Sequence, residues 1–299
     1  TAIQVFGGEN GSFDSSLGVV STADYGRVFI SITNTNGTNL TNSEKTTLVS
    51  DLSPFTIASI TPVIVDPDYL YVFLTVDFRF NSSATTKTKD TLVTEVRNSL
   101  ISYNATELVK FNAVIRHSQL LNQIDNTDSS ILSSTCIPRL AKYFTPTLST
   151  SKSYNLFYNN EFFNPHIGHD ATSGGILAST GFKISGNSNV QYFDDDGEGN
   201  IRSYYLVGNT RTYTNETAGT INYSNGEVSN VDDVASSRIR MIVIPNSYDV
   251  VALRNQVLSI DLVNTAVTGS IDTISTADAS GAVSFNPTSS NVTSSGTSY

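Results

Sequence analysis

The sequence predicts an α+β protein, in which a ferredoxin-like split βαβ domain is followed by a β-hairpin-rich domain. Three observations carry this. Between about residues 25 and 145, strand-like and helix-like apolar periods alternate. After Pro146 helical spacing nearly disappears, and short apolar segments are separated by Gly, Asn and Asp. The polar remainder of the chain is mostly Ser, Thr, Asn and Gly, with only 15% charged residues, the profile of a chain with many turns.

Residues 1–24 are rich in Gly and Ser and read as a lead-in segment. Arg27-Val28-Phe29-Ile30-Ser31-Ile32 is a short apolar strand. Thr41-x-x-Glu44 is a capping box, and Leu48, Val49 and Leu52 give the next stretch one apolar face. The spacing predicts a helix of about three turns ending near Pro54. Two strands follow, Ile57–Val65 and Leu70–Phe80, around the turn Asp66-Pro67-Asp68, where Pro fixes φ. Leu92, Val93, Val96 and Leu100 restore helical spacing over Asp90–Ser102. Ser118 is positioned to cap a short helix bearing Leu120, Leu121 and Ile124, before a last strand at Ile131–Phe144. Strand, helix, strand, strand, helix, strand is the split βαβ order, placed at residues 25–145.

The second domain, 146–269, begins in a Pro- and Ser/Thr-rich boundary. Gly181–Ser185, Val190–Phe193, Ile201–Val207, Thr210–Thr214, Gly219–Tyr223 and Glu227–Asn230 read as successive hairpin strands. Arg238–Ile244 and Val257–Leu262 are stronger strands. Residues 270–299 are Ser/Thr/Ala/Gly-rich and read as a flexible or partner-ordered tail.

The net charge of −10 argues against a phosphate-backbone partner, so no nucleic acid is expected. The apolar runs Arg238–Pro245 and Val250–Val263 fall short of the roughly 20 apolar residues of a membrane span, so no membrane insertion is expected. Cys136 is the single cysteine, which rules out an intrachain disulfide; its neighbourhood reads as a strand and the thiol as a small buried hydrophobe. The chain opens on Thr1 without a basic-then-apolar leader and does not read as a secretory precursor; a fragment or processed product of a longer protein fits it. Eight Asn-x-Ser/Thr triplets occur, a number that a chain this rich in Asn, Ser and Thr produces by chance.

The acidic run Asp194-Asp195-Asp196-Gly197-Glu198-Gly199-Asn200 offers Asp194, Asp196 and Glu198 as candidate cation ligands. An EF-hand loop counted from Asp194 would need an acid at Tyr205, so that pattern fails. A hairpin turn between Val190–Phe193 and Ile201–Leu206 accounts for the same residues. His166-Ile167-Gly168-His169-Asp170 holds two imidazoles and a carboxylate without a fourth ligand nearby, and reads as a surface loop. His117 is the remaining histidine. No nucleophile elbow, phosphate loop or dinucleotide fingerprint is present, so no catalytic residue and no cofactor is expected and the chain does not read as an enzyme. Tyr154, Phe157, Tyr158, Phe162 and Phe163 cluster around Asn159-Asn160; they suit either a partner interface or core filling between the two domains.

Several blocks resemble one family in order along the chain. They are Val5-Phe6-Gly7-Gly8-Glu9-Asn10, Tyr25-Gly26-Arg27-Val28-Phe29-Ile30-Ser31-Ile32, Ser43-Glu44-Lys45 and Ile60-Thr61-Pro62-Val63-Ile64-Val65-Asp66-Pro67-Asp68-Tyr69-Leu70-Tyr71. Phe144-Thr145-Pro146, Ser179-Thr180-Gly181-Phe182, Asp195-Asp196-Gly197-Glu198-Gly199-Asn200, Asn246-Ser247-Tyr248-Asp249-Val250-Val251 and Arg254-Asn255-Gln256-Val257-Leu258 continue the series. Together they resemble the C-terminal half of the T-even-like phage baseplate wedge protein family known as gene product six, and more widely the baseplate J-like family. The resemblance implies a structural virion protein of a contractile tail, assembled in the host cytoplasm. It implies a homodimer that joins other wedge subunits and links wedges into a ring around the tail hub. It also implies contact with sheath-initiating proteins and relay of baseplate change to sheath contraction. The family supplies no catalytic motif to carry over. A carbohydrate- or receptor-binding β module of a phage tail is the alternative, suggested by the hairpins and aromatics of the second half.

Overall fold

The computed structural model describes residues 2–8, 13–14, 19–20, 23–34, 39–56, 60–146, 153–164, 175–184, 187–231, 238–253 and 255–272. Strand β1 (Ala2–Gly7) lies within the expected lead-in and passes through a short hairpin, β2 (Phe13–Asp14) and β3 (Val19–Val20), to β4 (Arg27–Thr33). Helix α1 (Asn42–Leu52) starts as its sequence dictates. The Thr41 hydroxyl accepts from the Glu44 N–H at 3.3 Å, and the Glu44 carboxylate accepts from the Thr41 N–H at 2.8 Å. Pro54 turns the chain out of the helix through a 3₁₀ turn at Ser53–Phe55. β5 (Thr61–Val65) then runs parallel to β4, from Arg27 opposite Thr61 to Ser31 opposite Val65. Residues 57–59, the start of the expected strand here, lie outside the described residues.

β6 (Asp68–Phe80) begins after the two-residue turn Asp66-Pro67, and helix α2 (Lys89–Tyr103) follows it. Leu92, Val96 and Leu100 are completely buried on one face of α2, the four-residue spacing that the sequence shows; each buries side chain worth about 1.5–3 kcal/mol. After a π turn (Asn104–Leu108) come β7 (Val114–Ile115), α3 (His117–Asp125) and β8 (Ile131–Phe144). The cap of α3 is not Ser118. The helix opens at His117, whose N–H donates to Asp249 Oδ1 at 2.9 Å, from 132 residues away. A helix start can be capped by any suitably placed acceptor, so a local reading of the sequence picks the wrong residue here.

The second half supplies β9 (Tyr154–Phe157), β10 (Ala178–Ser179), β11 (Gln191–Asp195), β12 (Asn200–Val207), β13 (Thr210–Asn222) and β14 (Glu227–Val231). β15 (Ile239–Val243), β16 (Val250–Val251), β17 (Gln256–Ile260) and β18 (Ala266–Ile271) complete it. The two runs expected at Thr210–Thr214 and Gly219–Tyr223 are one strand with a bulge: Ile201 and Ser203 on β12 face Gly219 and Asn215, so β13 carries extra residues between them. Residues 273–299, most of the expected tail, lie outside the described residues, and so does Arg254.

The strands form three principal sheets. β1-β4-β5 is one, β11-β12-β13-β14-β9 is another, and β10-β15-β8-β6-β17 is the third, with β18 also on β6. β6 is paired along both edges. β8 runs antiparallel to it from Tyr71 opposite Ala141 to Phe80 opposite Ile131. On the other side β17 runs parallel to Asp68–Val72 and β18 parallel to Thr75–Phe80.

This pairing alters the expected split βαβ arrangement. The strands at Arg27–Thr33 and Thr61–Val65 do not join β6 and β8; they pair with each other in the separate three-stranded sheet. The physical reason is that both edges of β6 are already taken, one of them by strands nearly 190 residues further along the chain. The mixed α+β class stands. The hairpin-rich stretch is an excursion between neighbours in one sheet, because β15 returns to pair with β8, from Ile239 opposite Phe144 to Val243 opposite Leu140. The two larger sheets share one buried apolar cluster, which takes in Leu74, Phe78, Leu140, Tyr154, Phe193 and Met241. Among the described residues no helix is long and apolar enough to cross a membrane.

A buried polar centre ties the third sheet to the start of the hairpin module. Lys142 on β8 pairs with Asp68 at the start of β6, and both side chains are out of solvent. Gln256 on β17 donates to the same Asp68 carboxylate at 2.9 Å and to the Phe157 carbonyl at 2.8 Å. Burial pulls the Lys142 ammonium below its ordinary range, opposed by the Asp68 charge. Removing one partner of such a pair strands the other charge in the core. Lys142→Met is therefore expected to cost about 3–5 kcal/mol in urea unfolding, and the double variant Asp68→Leu/Lys142→Met to recover most of that loss.

Candidate functional site

The acidic turn is built as a hairpin. β11 and β12 pair from Gln191 opposite Tyr205 to Asp195 opposite Ile201, and the chain reverses between Asp195 and Asn200. Gly197 and Gly199 hold φ of 80° and 112°, which side-chain-bearing residues rarely adopt. Asp196 organises the reversal. Its Oδ1 accepts from the N–H groups of Glu198 at 2.8 Å and Asn200 at 3.0 Å, and its Oδ2 from the Asn200 amide at 2.6 Å. Burial pushes this carboxyl up, but the bonds from Asn200 and Glu198 outweigh it and hold it below the usual carboxylate range.

Its neighbours are committed to other partners. Asp194 is buried; it accepts from Arg202 Nε at 3.0 Å, from Arg211 at 2.7 Å and from the Tyr213 hydroxyl at 3.0 Å. Arg202 is the residue directly opposite Asp194 on β12, and its guanidinium lies 4.3 Å from the centre of the Tyr213 ring. Burial raises the Asp194 carboxyl above its usual range, with the two arginines pulling the other way. Asp195 is fully buried and points elsewhere, accepting from the Leu177 N–H at 2.7 Å and from the Tyr223 hydroxyl at 2.7 Å. Gly175 crosses so close above it that a Cβ there would lie 1.9 Å from Asp195 Oδ1.

Of the candidate cation ligands, then, Asp194 serves an ion-pair cluster, Asp196 serves the turn, and Glu198 is exposed. The three are not gathered on one point. Among the described residues no group of three or more His, Cys, Asp or Glu is placed to hold a metal ion. His166, His169 and Asp170 lie outside the described residues. His117 shares a contact between α3 and β8: its Nε2 is 2.8 Å from the Cys136 carbonyl oxygen, and its ring packs against Tyr248 at 4.9 Å. Cys136 is buried, and burial pushes its thiol up to about 12, far from a reactive thiolate.

Three members of the aromatic cluster take the core-filling role weighed for it. Tyr154, Tyr158 and Phe162 are buried. Tyr154 packs on Phe144 at 5.2 Å, Tyr158 on Phe162 at 5.1 Å, and the Tyr158 hydroxyl donates to the Met241 carbonyl at 2.9 Å. These three fill the seam between the two larger sheets. Phe157 is half-buried, while Phe163 is 47% exposed.

Among the described residues a row of exposed apolar side chains lies in the three-stranded sheet, of which the sequence predicts the strands at Arg27–Ile32 and Ile57–Val65 and reads the first strand only as lead-in. Ile3 and Val5 on β1 sit opposite Ile32 and Ile30 of β4, and Ile30 sits opposite Ile64 of β5. Residues directly opposite share a face of the sheet, so these five make one apolar row without a charge. Ile3 and Val5 are 62% and 60% exposed. At one end of the same sheet Tyr25, Phe55 and Ile60 are also exposed. Phe29 is the only large apolar side chain fully buried among the described residues of this lobe, and it lies outside the shared core cluster. A signal was present in the sequence: Ala2-Ile3-Gln4-Val5-Phe6-Gly7 has strand alternation and no charged residue.

The comparisons with known proteins fall on the first half of the chain. Residues 1–65 match the family model of baseplate structural protein gp6, C-terminal domain I. Residues 68–142 match that of baseplate structural protein gp6, C-terminal domain III. A search of curated proteins finds no match. The break between the two matched segments falls at the turn joining β5 to β6, where the chain leaves the three-stranded sheet for the third one.

The structure makes a graded expectation for the acidic turn. Asp194→Ala leaves Arg202 buried without its counter-charge and is expected to cost about 3–5 kcal/mol. Asp196→Ala removes the turn's acceptor and should cost about 1–2 kcal/mol. Glu198→Ala, at an exposed position, should stay within about 0.5 kcal/mol. Chemical unfolding of the three variants side by side measures the order.

Proposed function

We propose that this chain, whose first 142 residues match two C-terminal domains of the baseplate structural protein gp6, is a wedge subunit of a contractile phage tail baseplate. The two matches, in order and meeting at a structural boundary, carry the reading: they are the domains of a phage structural protein of the virion tail. In the finer reading, the subunit pairs with itself and joins other wedge subunits. It links wedges into a ring around the tail hub and relays baseplate change to the sheath. The sparsely covered three-stranded sheet supports an assembly role, because a lobe this small with so little buried apolar surface gains stability by being covered. The shared core of the two larger sheets supports a rigid body suited to transmitting force.

One observation favours a second reading, a carbohydrate- or receptor-binding module. A groove of ≈ 580 Å³ on the hairpin module is lined by Asn164, Glu198, Asn222, Tyr223 and Glu227, amide, hydroxyl and carboxylate groups of the kind that bind sugar hydroxyls.

Antibody raised against the purified chain is expected to decorate the baseplate end of negatively stained phage particles. Label on the capsid, on fibre tips, or on no particle would overturn the wedge reading. Label on fibre tips together with glycan-array binding would instead establish the second one.

A further inference from the structure

Within the hairpin module β13 leaves its partner strand and returns to it. Ser203 on β12 faces Asn215, and Ile201 faces Gly219, so residues 216–218 bulge out of the ladder opposite Arg202 alone. The bulge borders a cavity of ≈ 420 Å³, walled by Ile184, Phe193, Ser203, Thr214, Asn215 and Thr217 together with shorter residues of the bulge. Sites for small molecules commonly span about 300–1,000 Å³. The wall mixes two kinds of surface: Ile184 and Phe193 are apolar, while three hydroxyls and the Asn215 amide are polar. None of the described residues lining it carries a charge.

The polar side of the wall is ordered from behind. The Thr214 hydroxyl donates to Gln191 Oε1 at 2.8 Å or to the Ser203 carbonyl at 3.1 Å, and it lies 2.9 Å from the Ser203 hydroxyl. With its own proton committed, Thr214 takes the proton of Ser203, whose oxygen is left to accept. Gln191 is completely buried, two residues before Phe193 on β11 and therefore on the same face. Its Nε2 has no hydrogen-bond partner among the described residues. A buried donor without an acceptor is uncommon in folded proteins, and this one stands a single hydrogen bond behind the cavity wall.

We infer that this cavity is a binding site for a neutral saccharide. Charge selects the class of ligand. A wall without a carboxylate gives a metal ion no counter-charge. A chain of net charge −10 with no Lys or Arg in that wall repels phosphate, sulfate and acidic sugars. A neutral sugar carries hydroxyls around its ring and C–H groups on its faces. The wall answers with groups that donate and accept, set beside Ile184 and Phe193. Thr214, Asn215 and Thr217 are exposed, so the ligand enters from solvent along the bulge. For its ligand class this rests on the binding-module reading above. It places the ligand in a different cavity from the groove at Glu198, with which this one shares Thr220.

The test applies the full chain to an array of neutral, sialylated and phosphorylated oligosaccharides. Neutral members are expected to bind and charged ones to fail. Ala218→Phe sets a ring into the cavity from its rim and should weaken the best array member at least tenfold in isothermal titration. Thr217→Ala removes one hydroxyl and keeps the backbone bond from Thr217 to Asn215 Oδ1, and should weaken it about fivefold. Neither position is buried, so circular dichroism and the thermal midpoint of both variants should match wild type. Leu206→Lys/Val207→Lys, at an exposed tip of the module, should bind like wild type. An array with no bound saccharide would overturn the inference and the binding-module reading together. Binding confined to charged members, or equal in wild type and Ala218→Phe, would overturn the cavity. Binding lost in Glu198→Ala/Glu227→Gln and kept in Ala218→Phe would put the ligand in the groove, which removes the cavity and leaves the binding-module reading standing. The wedge reading is decided separately by antibody decoration of particles.

Discussion

Strand β6 is the constraint on which the architecture depends. Thirteen residues long and paired along both edges, it holds β8 on one side and receives β17 and β18 in parallel on the other. α2 lays Leu92, Val96 and Leu100 into the core that includes its buried side chains. Because its edges are full, the strands before it cannot join its sheet, and they close a small sheet of their own. Because β17 and β18 must reach it, the chain has to come back after the hairpin excursion, so the second half completes the first. At its first residue, Asp68 gathers Lys142 from β8 and Gln256 from β17, and Gln256 also holds the Phe157 carbonyl at the end of β9. Elements far apart in sequence thus converge on one buried carboxylate. A charge in that position is tolerated only while its partners are in place, which makes the centre a check on correct assembly as well as a contact.

The hairpin module repeats that logic on a smaller scale. The three consecutive aspartates divide the work according to strand geometry. Successive side chains on a strand point to opposite faces, so Asp194 meets Arg202, Arg211 and Tyr213 on one face, and Asp195 meets Leu177 and Tyr223 on the other. Asp196, past the end of β11, is free to bind the turn's own N–H groups. Three neighbouring carboxylates that look in sequence like one ligand cluster are separated by the pleat and by the start of the turn. Local regularity of this kind contrasts with the three-stranded sheet, where a helix with no buried side chain and an unguarded first strand leave apolar surface open. The chain thus combines a body with a shared buried core and one lobe with little buried apolar surface.

Much of the local structure was legible in the sequence. The capping box at Thr41 and Glu44, the buried face of α2, the span of β8 and the turn at Gly197–Gly199 all followed from nearest-neighbour chemistry, which acts within a few residues. Which apolar side chains are buried and which stay exposed was less legible. Tyr154, Tyr158 and Phe162 had the composition of an interface and turned out to be core, because burial against another element and burial against another molecule select the same side chains. Ile3 and Val5 lie in a segment whose Gly and Ser content reads as a lead-in, although the strand they belong to is charge-free and alternating.

By itself, the sequence determined the α+β class, the kind and position of most elements, the acidic hairpin turn, and the ordered blocks that resemble a baseplate wedge protein. The class, the elements and the turn rest on backbone propensity, capping and periodicity, which are written into short stretches of chain; the resemblance rests on the residues of the blocks themselves. Only the tertiary structure decided which strands share a sheet, which residue caps α3, what each aspartate of the acidic turn binds, and which edge stays open. The sheets, the open edge and the cap of α3 depend on partners more than a hundred residues away, or on the competition between strands for a limited number of edges; the aspartates depend on the pleat and on partners up to 28 residues away. A strand's pattern says that it will pair; the edges still free when the chain has closed on itself decide with what.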